Sequence, residues 1–67
     1  MSPSETFYRE RAADARRDAG AANLDNVRDR CLRAAEAWES MASRAARTDQ
    51  LRAESEARKL EMVLAAT

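Results

Sequence analysis

The stretch "AANLDNVRDRC", residues 21–31, decides the fold, because it separates two long runs of alanine, arginine and acidic residues that each favour a helix. Gly20, the only glycine, comes just before it, and Asn23 and Asp25 lie within it. Glycine and asparagine are typical of a helix C-terminus, and Asn or Asp of an N-cap. We therefore expect a turn near residues 22–25, with Asn23 or Asp25 capping the second helix. One uninterrupted helix is the alternative.

The apolar pattern on the two sides of this stretch also favours a turn. On the N-terminal side one heptad stripe comprises Tyr8, Ala12, Ala15, Ala19 and Ala22. On the C-terminal side a second stripe comprises Leu24, Val27, Cys31, Ala34, Trp38, Met41 and Ala45. Continuing the first stripe would place Asn26 and Asp29 in the seam, so the two stripes are out of phase. The sequence predicts an all-α helical hairpin.

Helix boundaries follow from local signals. In "SPSE", residues 2–5, Ser2 is placed to cap the helix, Pro3 suits the first helical position and Glu5 would complete a capping box. The first helix is therefore predicted over about residues 3–21, and the second over about 25–47.

Beyond residue 47 the pattern changes. The second stripe fails there, and a stripe shifted by one residue replaces it: Ala46, Ala53, Ala57, Leu60 and Leu64, with Leu51 beside it. The packed face is thus expected to rotate near Thr48. Either Thr48 and Asp49 cap a third helix over about residues 49–65, or the second helix continues, long or kinked.

The composition favours association between chains. A chain of 67 residues buries only about 60% of its unfolded surface on folding, and small scaffolds are usually stabilised by disulfides, metals or oligomerisation. Here the chain has one cysteine, no histidine and only 4% aromatic residues. We expect a homo-oligomer, most simply a dimer, that forms an antiparallel helical bundle.

Several classes of function are disfavoured by the sequence. Twelve basic and twelve acidic residues cancel, so no net field attracts nucleic acid or an anionic membrane. There is no histidine and no glycine-rich loop, and we expect no catalysis, no cofactor and no metal. The pairs Asp14/Asp18 and Asp25/Asp29 could hold a cation, but the arginines between them favour solvated ion pairs.

With no signal-peptide pattern and no apolar run of about 18 residues, a cytoplasmic location with Cys31 reduced is expected.

Two stretches, "FYRERAADARRDA" (residues 7–19) and "NVRDRCLRAAEAWESMASRAART" (residues 26–48), resemble a group of very short bacterial proteins. In these, a YRERA-like first helix precedes an NVRxRxLRxAxAW-like second helix. The residues that carry the resemblance are Tyr8, Arg9, Asn26, Val27, Arg28, Leu32 and Trp38. The resemblance implies a helical hairpin and implies no activity, and it does not extend past Thr48.

The main hypothesis is a non-catalytic interaction or regulatory protein that self-associates and modulates a partner protein, for example an enzyme. Its candidate surface comprises the large apolar residues Phe7, Tyr8, Cys31, Trp38, Met41, Leu51, Leu60, Met62, Val63 and Leu64. One alternative is a binder of a small flat aromatic ligand at a helix–helix junction near Trp38 and Met41. Another is a nucleic-acid accessory protein, whose phosphate contacts would be Arg9, Arg16, Arg17, Arg28, Arg30 and Arg33.

Overall fold

The computed structural model describes residues 1–67 and contains two helices, α1 (Pro3–Ala21) and α2 (Asp25–Ala66). They pack against each other in antiparallel orientation, and the chain has no strand. The predicted all-α helical hairpin is therefore confirmed. α2 runs through Thr48 without a break, so the continuous helix, rather than a third helix, is the arrangement observed there.

The start of α1 is fixed by its serine cap. Ser2 has extended backbone, and its Oγ accepts a hydrogen bond from the Glu5 N–H at 3.2 Å, while Pro3 occupies the first turn. The carboxylate of Glu5 does not accept a hydrogen bond from the Ser2 N–H, because it accepts one from Arg9 Nε at 2.9 Å. The N-cap is as predicted, but the reciprocal half of the capping box is not formed.

The turn between the helices is made differently from the prediction. Gly20 lies inside α1 without a positive φ, and the N-cap of α2 is Leu24, which makes no side-chain cap bond. Gly20 as a stop signal and Asn23 or Asp25 as the cap were therefore wrong. Extended backbone at Ala22 and Leu24 reverses the chain, so no left-handed residue is needed.

One arginine bridges this turn. The Arg28 guanidinium donates to the Ala22 carbonyl at 3.2 Å and to Asp25 at 3.3 Å. Arg28 thereby satisfies a carbonyl at the end of α1 from the first turns of α2, which holds the two helix ends together.

The seam between the helices consists mainly of alanine. The buried residues are Glu5, Ala12, Ala15 and Ala19 of α1 and Ala35 and Ala42 of α2. In α2 five members of the predicted stripe are half-buried, namely Val27, Cys31, Trp38, Met41 and Ala45, but Leu24 and Ala34 are exposed and the buried positions are Ala35 and Ala42. The smallest side chains occupy the closest approach of the backbones, and the larger Cys31, Trp38 and Met41 are half-buried beside it.

The corrected register reduces the expected rotation of the packed face. Leu32, Glu39 and Ala46 flank the buried alanines of α2, are half-buried and recur every seven residues. Two more seven-residue steps lead to Ala53 and Leu60. The apolar stripe at the end of α2 thus continues the edge of the face that packs on α1, although Ala57 and Leu64 follow positions that are exposed earlier in the helix.

The molecule is long because its helices differ in length. α1 has 19 residues and α2 has 42. The radius of gyration is 18.3 Å, whereas a compact chain of this length would have about 11 Å. Much of α2 therefore extends past the end of α1.

Substituting Ala35 by leucine tests the corrected seam. A leucine there overpacks the contact and should destabilise the fold by about 1–3 kcal/mol, measured by thermal unfolding followed by circular dichroism. The matched control is Ala34→Leu on the exposed side, expected within about 0.5 kcal/mol of wild type. Equal effects of the two substitutions would contradict the register of the seam.

Candidate interaction surface

The C-terminal part of α2 extends past the start of α1, and only its first residues, Gln50, Leu51 and Arg52, line grooves shared with α1. A groove lined by Ser2, Pro3 and Ser4 together with Thr48 and Asp49 marks where α1 begins beside α2. We call residues 50–66 the C-terminal arm; it is about 25 Å long. All its residues are exposed except the half-buried Ser55.

The C-terminal arm carries most of the exposed large apolar residues. Leu60, Val63 and Leu64 are 59%, 60% and 64% exposed. They lie on the side of α2 that packs on α1 in the earlier part of the helix. Leu51 and Met62, also exposed, lie on the opposite side of the helix. Only the first set is therefore continuous with an existing interface.

The C-terminal arm carries three basic and three acidic residues. They are Arg52, Glu54, Glu56, Arg58, Lys59 and Glu61. None of them forms an ion pair, although Gln50 donates to Glu54 at 3.3 Å. Glu54 and Glu61 directly follow Ala53 and Leu60, so they border the apolar stripe. Any partner of this face must tolerate or neutralise two glutamates.

Three of the predicted surface residues form an aromatic cluster at the N-terminal half of α1. The ring centroids of Phe7 and Trp38 are 5.9 Å apart, those of Tyr8 and Trp38 are 6.0 Å apart, and those of Phe7 and Tyr8 are 5.7 Å apart. Arg11 lies over the Phe7 ring at 5.5 Å. Phe7 remains 48% exposed, so this cluster is a second apolar surface, separate from the C-terminal arm.

The structure separates the remaining predicted site residues. Met41 and Tyr8 line the groove at the start of α1, whose other lining residues are mostly polar or charged. Cys31 is a half-buried free thiol nearer the turn. The ten predicted residues therefore do not form one surface.

Two acidic residues in the seam were missed by the sequence analysis. Glu5 is only 8% exposed and lies seven residues before Ala12, so the heptad itself could have signalled its burial. Asp49 lies seven residues after Ala42, and its Oδ2 is buried without a hydrogen-bond partner. It lines the groove with Ser2 and Ser4, near the N-terminus of α1, where the helix dipole favours a negative charge.

The arginines proposed for phosphate contacts are largely engaged within the chain. Arg9, Arg16, Arg17 and Arg28 form ion pairs with Glu5, Glu39, Asp14 and Asp25 respectively. The Arg16 Nε donates to Glu39 across the two helices at 2.8 Å. No group of three or more His, Cys, Asp or Glu side chains is arranged to hold a metal ion.

Neither helix contains a segment with the length and apolar character needed to cross a bilayer. Searches against protein-family models, curated proteins and solved structures return no match to this chain. The resemblance to short bacterial hairpin proteins therefore stays a prediction.

Hydrogen exchange should distinguish the C-terminal arm from the hairpin. A single helix of this length without tertiary contacts is marginal in water. At concentrations where the chain is monomeric, amides of residues 53–63 should exchange about 10-fold or more faster than those of residues 35–45. Equal protection in the two segments of a monomer would show that the arm has a partner within the chain.

Proposed function

We propose that this chain is a non-catalytic interaction protein that self-associates and, once assembled, docks on a partner protein and modulates it. The observation that carries the proposal is the C-terminal arm, a helical segment whose apolar face continues an interface and is left uncovered. A helix with such a face is stable in water when another element covers it.

The accessible surface supports association. The chain exposes 5317 Å², whereas a compact monomer of 7.5 kDa would expose about 4,200 Å². The excess of about 1,100 Å² is comparable to the roughly 800 Å² that each partner buries in a standard interface. Only six of the 67 residues are buried, and no large side chain is fully buried, so the hairpin alone has little core.

The two alternative functions have less support. The Trp38 ring already contacts Phe7 and Tyr8, and six of the ten residues that line the groove beside Met41 are polar or charged, which does not favour a flat aromatic ligand. Four of the six arginines proposed for phosphate contacts are in ion pairs, and the net charge is zero. Docking of proteins is therefore favoured over binding of either ligand.

Substitution of the leucines on the arm tests self-association. Leu60→Gln/Leu64→Gln removes the large apolar contacts of the stripe and should weaken self-association about 100-fold or more. The wild type should have a mass above one chain at micromolar concentration in sedimentation equilibrium. The control Leu51→Gln/Met62→Gln changes the opposite side of the same arm and should stay within about three-fold of wild type. A wild-type mass of 7.5 kDa at all concentrations would refute self-association.

The partner is tested with the same variants. A protein that binds the assembly should be recovered in stoichiometric amount with the tagged wild type and with Leu51→Gln/Met62→Gln, and lost with Leu60→Gln/Leu64→Gln. Recovery of nothing but further copies of this chain would refute the modulating role and leave a structural oligomer.

A further inference from the structure

The stripe on the C-terminal arm has a pattern that suits a copy of itself. Its core positions, spaced by four, three and four residues, are Ala53, Ala57, Leu60 and Leu64. The first half of the stripe is small and the second half is large. Running a second copy in the opposite direction brings the large half of each stripe onto the small half of the other.

We propose, resting on the self-association proposed above, that the C-terminal arms of two copies pair in antiparallel orientation in one register. In this register Leu64 lies opposite Ala53 of the second copy. Leu60 then lies opposite Ala57 of the second copy. The two-fold symmetry generates the same two layers again, so that four leucine-on-alanine layers fill the contact.

The length of α1 selects this register. α1 begins beside residues 45–49, and in the proposed register Ala66 of the second copy falls opposite Leu51. The second copy's α2 therefore ends just before α1 starts. Shifting the second copy's α2 by seven residues toward α1 would place its Ala66 opposite Arg44, in space that α1 occupies. Shifting it by seven residues in the other direction would leave Ala53 and Ala57 uncovered.

The end-to-end arrangement is also favourable electrostatically. The C-terminus of one copy's α2, with its unpaired carbonyls, meets the N-terminus of the other copy's α1 near Ser2 and Pro3. Each α2 would then be covered along one face by α1 and, beyond it, by the arm of the second copy. The continuity of the seam face from Ala42 to Leu60 allows one helix to contact both.

Spin labels on the outer side of α2 test the orientation. In a Cys31→Ala background, Arg58→Cys lies near the two-fold axis and Ser40→Cys lies far from it, both on exposed positions of one face. In the antiparallel pair the labels should be about 20 Å apart at residue 58 and about 55 Å apart at residue 40. In a parallel pair the two α1 helices lie between the copies of α2 at residue 40, so the labels there should be about 40 Å apart rather than about 55 Å.

A separation of about 40 Å at residue 40, with the short separation kept at residue 58, would overturn the antiparallel arrangement while leaving self-association intact. Absence of any dipolar coupling at residue 58, with a mass of one chain, would overturn both this inference and the self-association it rests on. Circular dichroism of each labelled variant confirms that the helices are retained.

Charge reversal provides a test without labels. In the antiparallel pair Glu54 faces Glu61 of the second copy, so Glu61→Lys should tighten the dimer about 10-fold. Glu54→Lys/Glu61→Lys places lysine opposite lysine and should return the dissociation constant to about that of wild type. In a parallel pair the new lysines would instead face Asp49 and Glu56, and the double variant would bind more tightly than the single one, which would overturn the proposal.

Discussion

The alanine contact between α1 and α2 is the constraint on which the rest of the structure depends. Ala12, Ala35 and Ala42 are small enough for the two backbones to approach closely, but they bury little apolar area. The larger Trp38 and Met41 cannot enter this narrow seam and stay half-exposed beside it. A hairpin built in this way is well defined in geometry but poor in core, so it depends on further contacts for stability.

The unequal lengths of the helices decide where those contacts occur. The shorter α1 covers the first half of one face of α2, and the same face continues uncovered along the C-terminal arm. Since Leu60 and Leu64 lie in this uncovered part, the largest apolar side chains of the stripe are outside the hairpin. The close alanine contact between α1 and α2 thus lies within the chain, whereas the more apolar surface, on the C-terminal arm, is available for association.

Much of the fold could be predicted from the sequence, because caps and apolar periodicity are local signals. Ser2 and Pro3 predicted the start of α1, and the phase difference between the stripes predicted the turn. The buried centre of the seam in α2 was missed because the prediction favoured Met41 over its smaller neighbour Ala42 and Ala34 over Ala35, whereas Ala35 and Ala42 are the buried residues. The capping of the turn was missed because extended backbone reversed the chain without glycine or asparagine.

The candidate surface was predictable residue by residue but not as an arrangement. Of the ten residues chosen from the sequence, three form the aromatic cluster around Trp38, five lie on the C-terminal arm, and Cys31 and Met41 belong to neither group. This division depends on where α1 begins beside α2. If the arms pair as proposed, the two copies of Trp38 lie about 60 Å apart, one in each half of the rod. The dimer would then carry two exposed Phe7 surfaces beside them, at a fixed spacing and related by the two-fold axis.

A partner with two matching sites at that spacing would bind the dimer far more tightly than a single hairpin, because the second contact forms at a high effective concentration. Self-association through the arm would in that case determine the affinity of a surface that the arm never touches.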